Sequence, residues 1–173
     1  MKTRMRDSYL MRCFIVVFIC FIIDSSIGYF LPYNYTKTGI TVVTCLGLMM
    51  FSLLVKTIDG PDRYFFGAIC GVYYSVVYSN SLAIYILIYC LIAFIRSYVI
   101  KLESFSLPES IAFCVSTVFF QEVIVYWLMW ITNITRYPMT SFIMMRLLPT
   151  LFVNLVLSIL VYWVYNKVKI EVE

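Results

Sequence analysis

Two carboxylates stand inside long apolar runs of this chain, Asp24 among Phe21-Ile-Ile-Asp-Ser-Ser26 and Glu122 among Phe119-Phe-Gln-Glu-Val-Ile124, and Asn154 interrupts a third. Acids in such surroundings are costly to bury and carry function by default. Three kinds of chemistry fit them: hydrogen bonds that hold helices together, a path for a proton or polar substrate, or a surface that grips a partner helix. Gln121 adjoins Glu122, and Arg146, at the head of Asn154's run, can supply a compensating cation. The chain has no histidine, which excludes a Ser-His-Asp hydrolase, His-ligated haem or zinc, and a histidine proton shuttle. Its six cysteines (13, 20, 45, 70, 90 and 114) contain no CxxC and read as small apolar packing residues. With no Walker loop, dinucleotide-binding glycines or metal-ligand cluster, the expectation is a non-enzyme with no cofactor and no metal.

The elements that must position these residues follow from composition. Of 173 residues, 63% are hydrophobic, 18% aromatic and 13% charged, with mean hydropathy +0.94. A soluble domain carries about 45–50% apolar and about 25% charged residues. That excludes a soluble enzyme, a nucleic-acid module and a disordered chain, and assigns the chain to the membrane. Six apolar runs, at 13–31, 39–55, 64–78, 82–100, 110–130 and 147–165, predict an all-α polytopic membrane protein: one integral domain over 1–173, a bundle of six transmembrane helices. The third run is the shortest, and with the fourth it reads as a tight helical hairpin. Leu107-Pro-Glu opens the fifth as a helix start, and Pro149 sits at the beginning of the sixth, where a missing N–H is tolerated. The longest connection is 131–146.

Charge sets the direction. Lys2, Arg4, Arg6, Arg12, Lys56, Arg63, Arg96, Lys101, Lys167 and Lys169 fall on one side, against Lys37, Arg136 and Arg146 on the other, which predicts cytoplasmic termini in a plasma membrane. At about 1.5 Å per residue, Asp24 then lies about 10 Å below the outer end of its span and Glu122 about 12 Å below Trp130, with Asn154 near the same depth. Asp24, Glu122 and Asn154 are therefore expected to share one polar layer. Gly67-Ala-Ile-Cys-Gly71 is a GxxxG that permits close helix approach, within the hairpin or to another protein. Lys2, Arg4, Arg6 and Arg12 form a basic N-terminus that suits topology control and anionic lipid.

The six short spans, the inside termini and three stretches resemble the bacterial rod shape-determining MreD family, Gram-positive type. Phe66 to Ser75 with Tyr78 to Tyr85 looks like the family's glycine-rich hairpin; Gln121-Glu122 falls where members place an acid in the fifth span. Met145-Arg-Leu-Leu-Pro-Thr-Leu-Phe-Val-Asn154 is similar to the sixth-span signature of arginine, proline and asparagine, here Arg146, Pro149 and Asn154. Ser75 stands where many members carry aspartate, and Ala83 where glycine is usual. The resemblance implies a non-enzymatic component of the cell-elongation machinery. Such a component associates with MreC, and in the wider complex with MreB, RodA and a class B penicillin-binding protein, to organise lateral peptidoglycan synthesis. The alternative is a substrate-binding membrane subunit of a vitamin-type transporter. The chain's few alanines (68, 83, 93 and 112) count against the docking motifs such subunits use.

Overall fold

The computed structural model describes the backbone of residues 2–30, 39–58, 60–78, 82–99 and 105–170, and among these the secondary structure is all helical. The elements are α1 (Lys2–Phe30), α2 (Leu46–Leu54) closed by a 3-10 turn (Val55–Thr57), α3 (Asp62–Tyr78), and α4 (Leu82–Phe94) running into a π-helical turn (Ile95–Val99). Then come α5 (Leu107–Ile131) and α6 (Met139–Phe142), which passes through a second π-helical turn (Ile143–Leu147) into α7 (Leu148–Ile170). Three helical stretches, Tyr9–Tyr29, Leu107–Ile131 and Met139–Val168, are long and apolar enough to cross a membrane.

α5 begins where its sequence dictates. The Glu109 carboxylate accepts the Ser106 N–H at 2.8 Å and the Ser106 hydroxyl at 2.7 Å, and Pro108 occupies a first-turn position that needs no amide partner. The run at 39–55 departs from expectation. It is not one helix: residues 40–45 are non-helical, and only Leu46–Leu54 with the following turn is wound. Ile40-Thr-Val-Val-Thr44 is five β-branched residues in succession, a composition that favours drawn-out chain over helix. The expected outer connection at 131–146 is also corrected. Helix resumes at Met139, so Arg146 is buried inside a helical stretch rather than exposed in a loop.

α2 is the hub. All nine of its residues are buried, and it packs against α1, α5 and α7. A helix apolar on every side has this interior place in a bundle. It runs antiparallel to α1: Tyr9 Oη donates to Thr57 Oγ1 at 2.6 Å at one end, and Asp24 meets Leu46 and Gly47 at the other. An aromatic chain fills the space between α1, α2, α3 and α4. Phe51 lies 5.3 Å from Phe66 and 4.9 Å from Tyr89, and Tyr74 lies 4.7 Å from Tyr85, measured between ring centroids. At the Lys56 end, the Arg96 guanidinium sits 4.1 Å over the Phe105 ring, a cation–π contact that accommodates a buried charge.

The GxxxG motif serves the hairpin itself. A Cβ on Gly71 would come within 2.6 Å of Ile86 Cα and 2.8 Å of its nitrogen, both backbone atoms of α4. On Gly67 it would reach only 3.4 Å from the Tyr89 carbonyl oxygen. Ser75, one turn past Gly71, donates its hydroxyl to the Gly71 carbonyl at 2.7 Å. Gly71→Ala is therefore expected to push α3 off α4 and lower stability by about 1–3 kcal/mol, the usual range for overpacking, while Gly67→Ala changes it by less than about 1 kcal/mol. Unfolding of the two variants in mixed micelles checks the difference.

Candidate functional site: a polar layer around an unwound segment

Non-helical backbone inside a bundle leaves N–H and C=O groups that must find partners. Here α7 provides them. Pro149 has no N–H to return to the Met145 carbonyl four residues earlier, and that carbonyl instead accepts the Thr41 N–H at 2.8 Å. Thr150 Oγ1 accepts from Val43 N at 3.2 Å. Asn154 closes the row, its Oδ1 accepting from Cys45 N at 2.9 Å and its Nδ2 donating to the Val43 carbonyl at 2.7 Å and the Thr150 carbonyl at 2.8 Å. The alternate residues 41, 43 and 45 all face α7. Four steps of drawn-out chain at about 3.3 Å and nine helical steps at about 1.5 Å both cover about 13 Å. The two backbones therefore stay in register from Met145 to Asn154.

Where the segment winds into α2, Asp24 takes over. Its Oδ1 accepts from Leu46 N at 3.0 Å and its Oδ2 from Gly47 N at 2.8 Å. A carboxylate on the first free amides of a helix satisfies them and meets the positive end of the helix dipole. Gly47 is required at this junction because a Cβ there would run into the ring of Phe21 on α1. Asp24 and Asn154 are both buried.

Glu122 on α5 meets Arg146 on the second π-helical turn. Arg146 Nε donates to Oε2 at 2.7 Å and Nη2 to Oε1 at 3.3 Å, with side-chain exposures of 4% and 5%. The two-point fork is the strong form of this pair. Cys45, whose N–H goes to Asn154, adjoins Leu46, whose N–H goes to Asp24, so these two polar side chains meet at neighbouring amides of the chain. Gln121, beside Glu122, places Nε2 3.4 Å from Tyr74 Oη and 4.0 Å from Cys45 Sγ.

The structure thus gathers Asp24, Glu122, Asn154, Arg146 and Pro149 about residues 41–47, and leaves Gly67 and Gly71 apart, in the α3–α4 hairpin. Of the basic N-terminus, Arg12 is exposed, and Lys2, Arg4 and Arg6 are helical in α1 with side chains outside the described residues. Sequence reasoning misses Thr41, Val43, Cys45 and Gly47 as the objects these polar groups serve, and Thr150 as a partner; the β-branched run at 40–44 is the signal that could have found them. Among the described residues no group of three or more His, Cys, Asp or Glu is placed to hold a metal ion. The arrangement is directed inward: the Asp24 oxygens and the Asn154 amide meet backbone groups of this chain, and the Glu122 oxygens meet the Arg146 side chain. No protein-family model, curated protein or solved structure matches the chain.

Proposed function

We propose that the chain is a non-enzymatic scaffold of the bacterial plasma membrane that crosses it six times with both termini in the cytoplasm. On this reading it belongs to the elongation machinery, where it associates with MreC and, in the wider complex, with MreB, RodA and a class B penicillin-binding protein. What supports the reading is the resemblance of the Arg146–Pro149–Asn154 run together with what those residues do. Each is spent on fastening the unwound segment or Glu122, as befits a rigid membrane framework that presents its outer faces to partner helices.

The second crossing in this proposal is a composite. Residues 40–45, drawn out, add about 20 Å to the about 18 Å of wound chain from Leu46 to Thr57, enough for a hydrocarbon core of about 30 Å. Non-helical backbone is tolerated at such depth where it is enclosed by protein and paired, and Val43 and Cys45 are both. A half-helix that starts inside a bundle is also how carriers build substrate sites, and this favours the transporter subunit as second reading. Against it, the start of α2 is already occupied by Asp24.

The test is purification of tagged protein from its native membranes in mild detergent, with mass spectrometry of what accompanies it. MreC and cell-wall polymerases are the expected companions. Recovery of an ATPase and a second membrane subunit instead would overturn the scaffold reading in favour of the carrier.

A further inference from the structure

Among the described residues, Gln121 in the polar layer carries an oxygen that the network above does not use. Gln121 is 1% exposed, and its Oε1 finds no hydrogen-bond partner among the described residues, although Nε2 is turned to Tyr74 and Cys45. Tyr89, 0% exposed with its ring centroid 6.1 Å from that of Tyr74, has a hydroxyl in the same condition. A buried carbonyl oxygen left without a donor keeps the full cost of its desolvation, and a phenol hydroxyl carries a similar penalty. Two such groups flanking Tyr74 call for an occupant that donates hydrogen bonds and is small enough for an aromatic interior. Water meets both conditions, and bound waters typically satisfy groups of this kind with about three hydrogen bonds each.

We infer that the bundle has a built-in water site beside the start of α2, between α2, α3 and α5, with Gln121 Oε1 as its principal acceptor. The water donates to Gln121, which fixes the amide so that Nε2 faces Tyr74 Oη. The site lies where the chain changes from drawn-out to helical and one residue along α5 from Glu122. It makes the break in the second run the hydrated centre of the bundle. This inference stands on the buried geometry alone and survives a failure of the scaffold proposal.

Hydroxyl-radical footprinting of the full chain in detergent tests it, because radicals generated from a bound water label the side chains it touches even when bulk solvent does not reach them. Met49 and Met50, fully buried in α2 and intrinsically reactive, are the internal controls. The expected result is oxidation at Tyr74 with Met49 and Met50 protected, and a drop of roughly fivefold or more at Tyr74 in Gln121→Leu, which removes the acceptor. Protection of Tyr74 in the wild type overturns the inference, as does labelling of Tyr74 and the two methionines alike, which would report general solvent entry. Unchanged labelling in Gln121→Leu also overturns it. Should that variant not fold, the wild-type contrast between Tyr74 and the methionines decides.

Discussion

Arg146→Leu lowers the stability of the folded bundle by about 3–5 kcal/mol, the range for breaking a buried ion pair from one side. The loss comes from the charge left behind. Both Glu122 oxygens are directed at the Arg146 guanidinium, and Glu122 is itself buried, so removing the arginine strands a carboxylate with no route to water. Glu122→Leu produces a loss of the same order by stranding the guanidinium. The double variant Glu122→Leu/Arg146→Leu is expected to be less destabilised than either single change, because no unpaired charge remains and leucine fills much of the volume. Arg146→Lys retains the charge but not the two-point fork, and should fall between wild type and Arg146→Leu. Equilibrium unfolding in mixed micelles over this set gives the coupling directly. A double variant as unstable as the sum of the singles would mean that the pair does not act as a unit.

The gathering of the polar residues is legible in the amino-acid sequence. Counting helical steps from the ends of three runs puts Asp24, Glu122 and Asn154 at one level, and an arginine about two turns above Asn154 is a candidate counter-charge. What hydropathy does not show is why they meet. It scores Gly39–Val55 as one continuous run, since isoleucine, valine and leucine are equally apolar in helix and in drawn-out chain. The break at 40–45 is decided by backbone partners. Pro149 frees the Met145 carbonyl, Thr150 and Asn154 offer side-chain partners, and β-branched residues accept the extended form. None of these partners lies close in sequence to the segment it shapes. The same holds for Arg146: a charge at the edge of a run looks like a loop residue until Glu122, 24 positions earlier, is seen to hold it inside. The glycine pair is visible as a motif, whereas Gly47 is not, because its constraint comes from the Phe21 ring on another helix.

Asn154→Leu tests whether the row along α7 is what keeps residues 41–45 in place. Leucine fits the space of asparagine closely, so the variant isolates hydrogen bonding from packing. It leaves the Cys45 N–H and the Val43 carbonyl without partners, and each buried orphan costs about 1–3 kcal/mol. The Thr150 carbonyl also loses the Asn154 donor, at smaller cost because it belongs to a helix. Destabilisation is therefore expected at about 2–5 kcal/mol, among the largest for any single substitution in this chain. Asn154→Asp discriminates the two halves of the interaction. It keeps an acceptor for Cys45 N but turns a carboxylate oxygen towards the Val43 and Thr150 carbonyls, so it should be no more stable than the leucine variant. Hydrogen–deuterium exchange locates the effect: amides from Thr41 to Gly47 should exchange faster in Asn154→Leu, while α5, held by its own packing on α7 and by the Glu122–Arg146 pair, keeps wild-type protection. Exchange that rises evenly along the whole chain would show that Asn154 stabilises the bundle generally and does not fasten this segment.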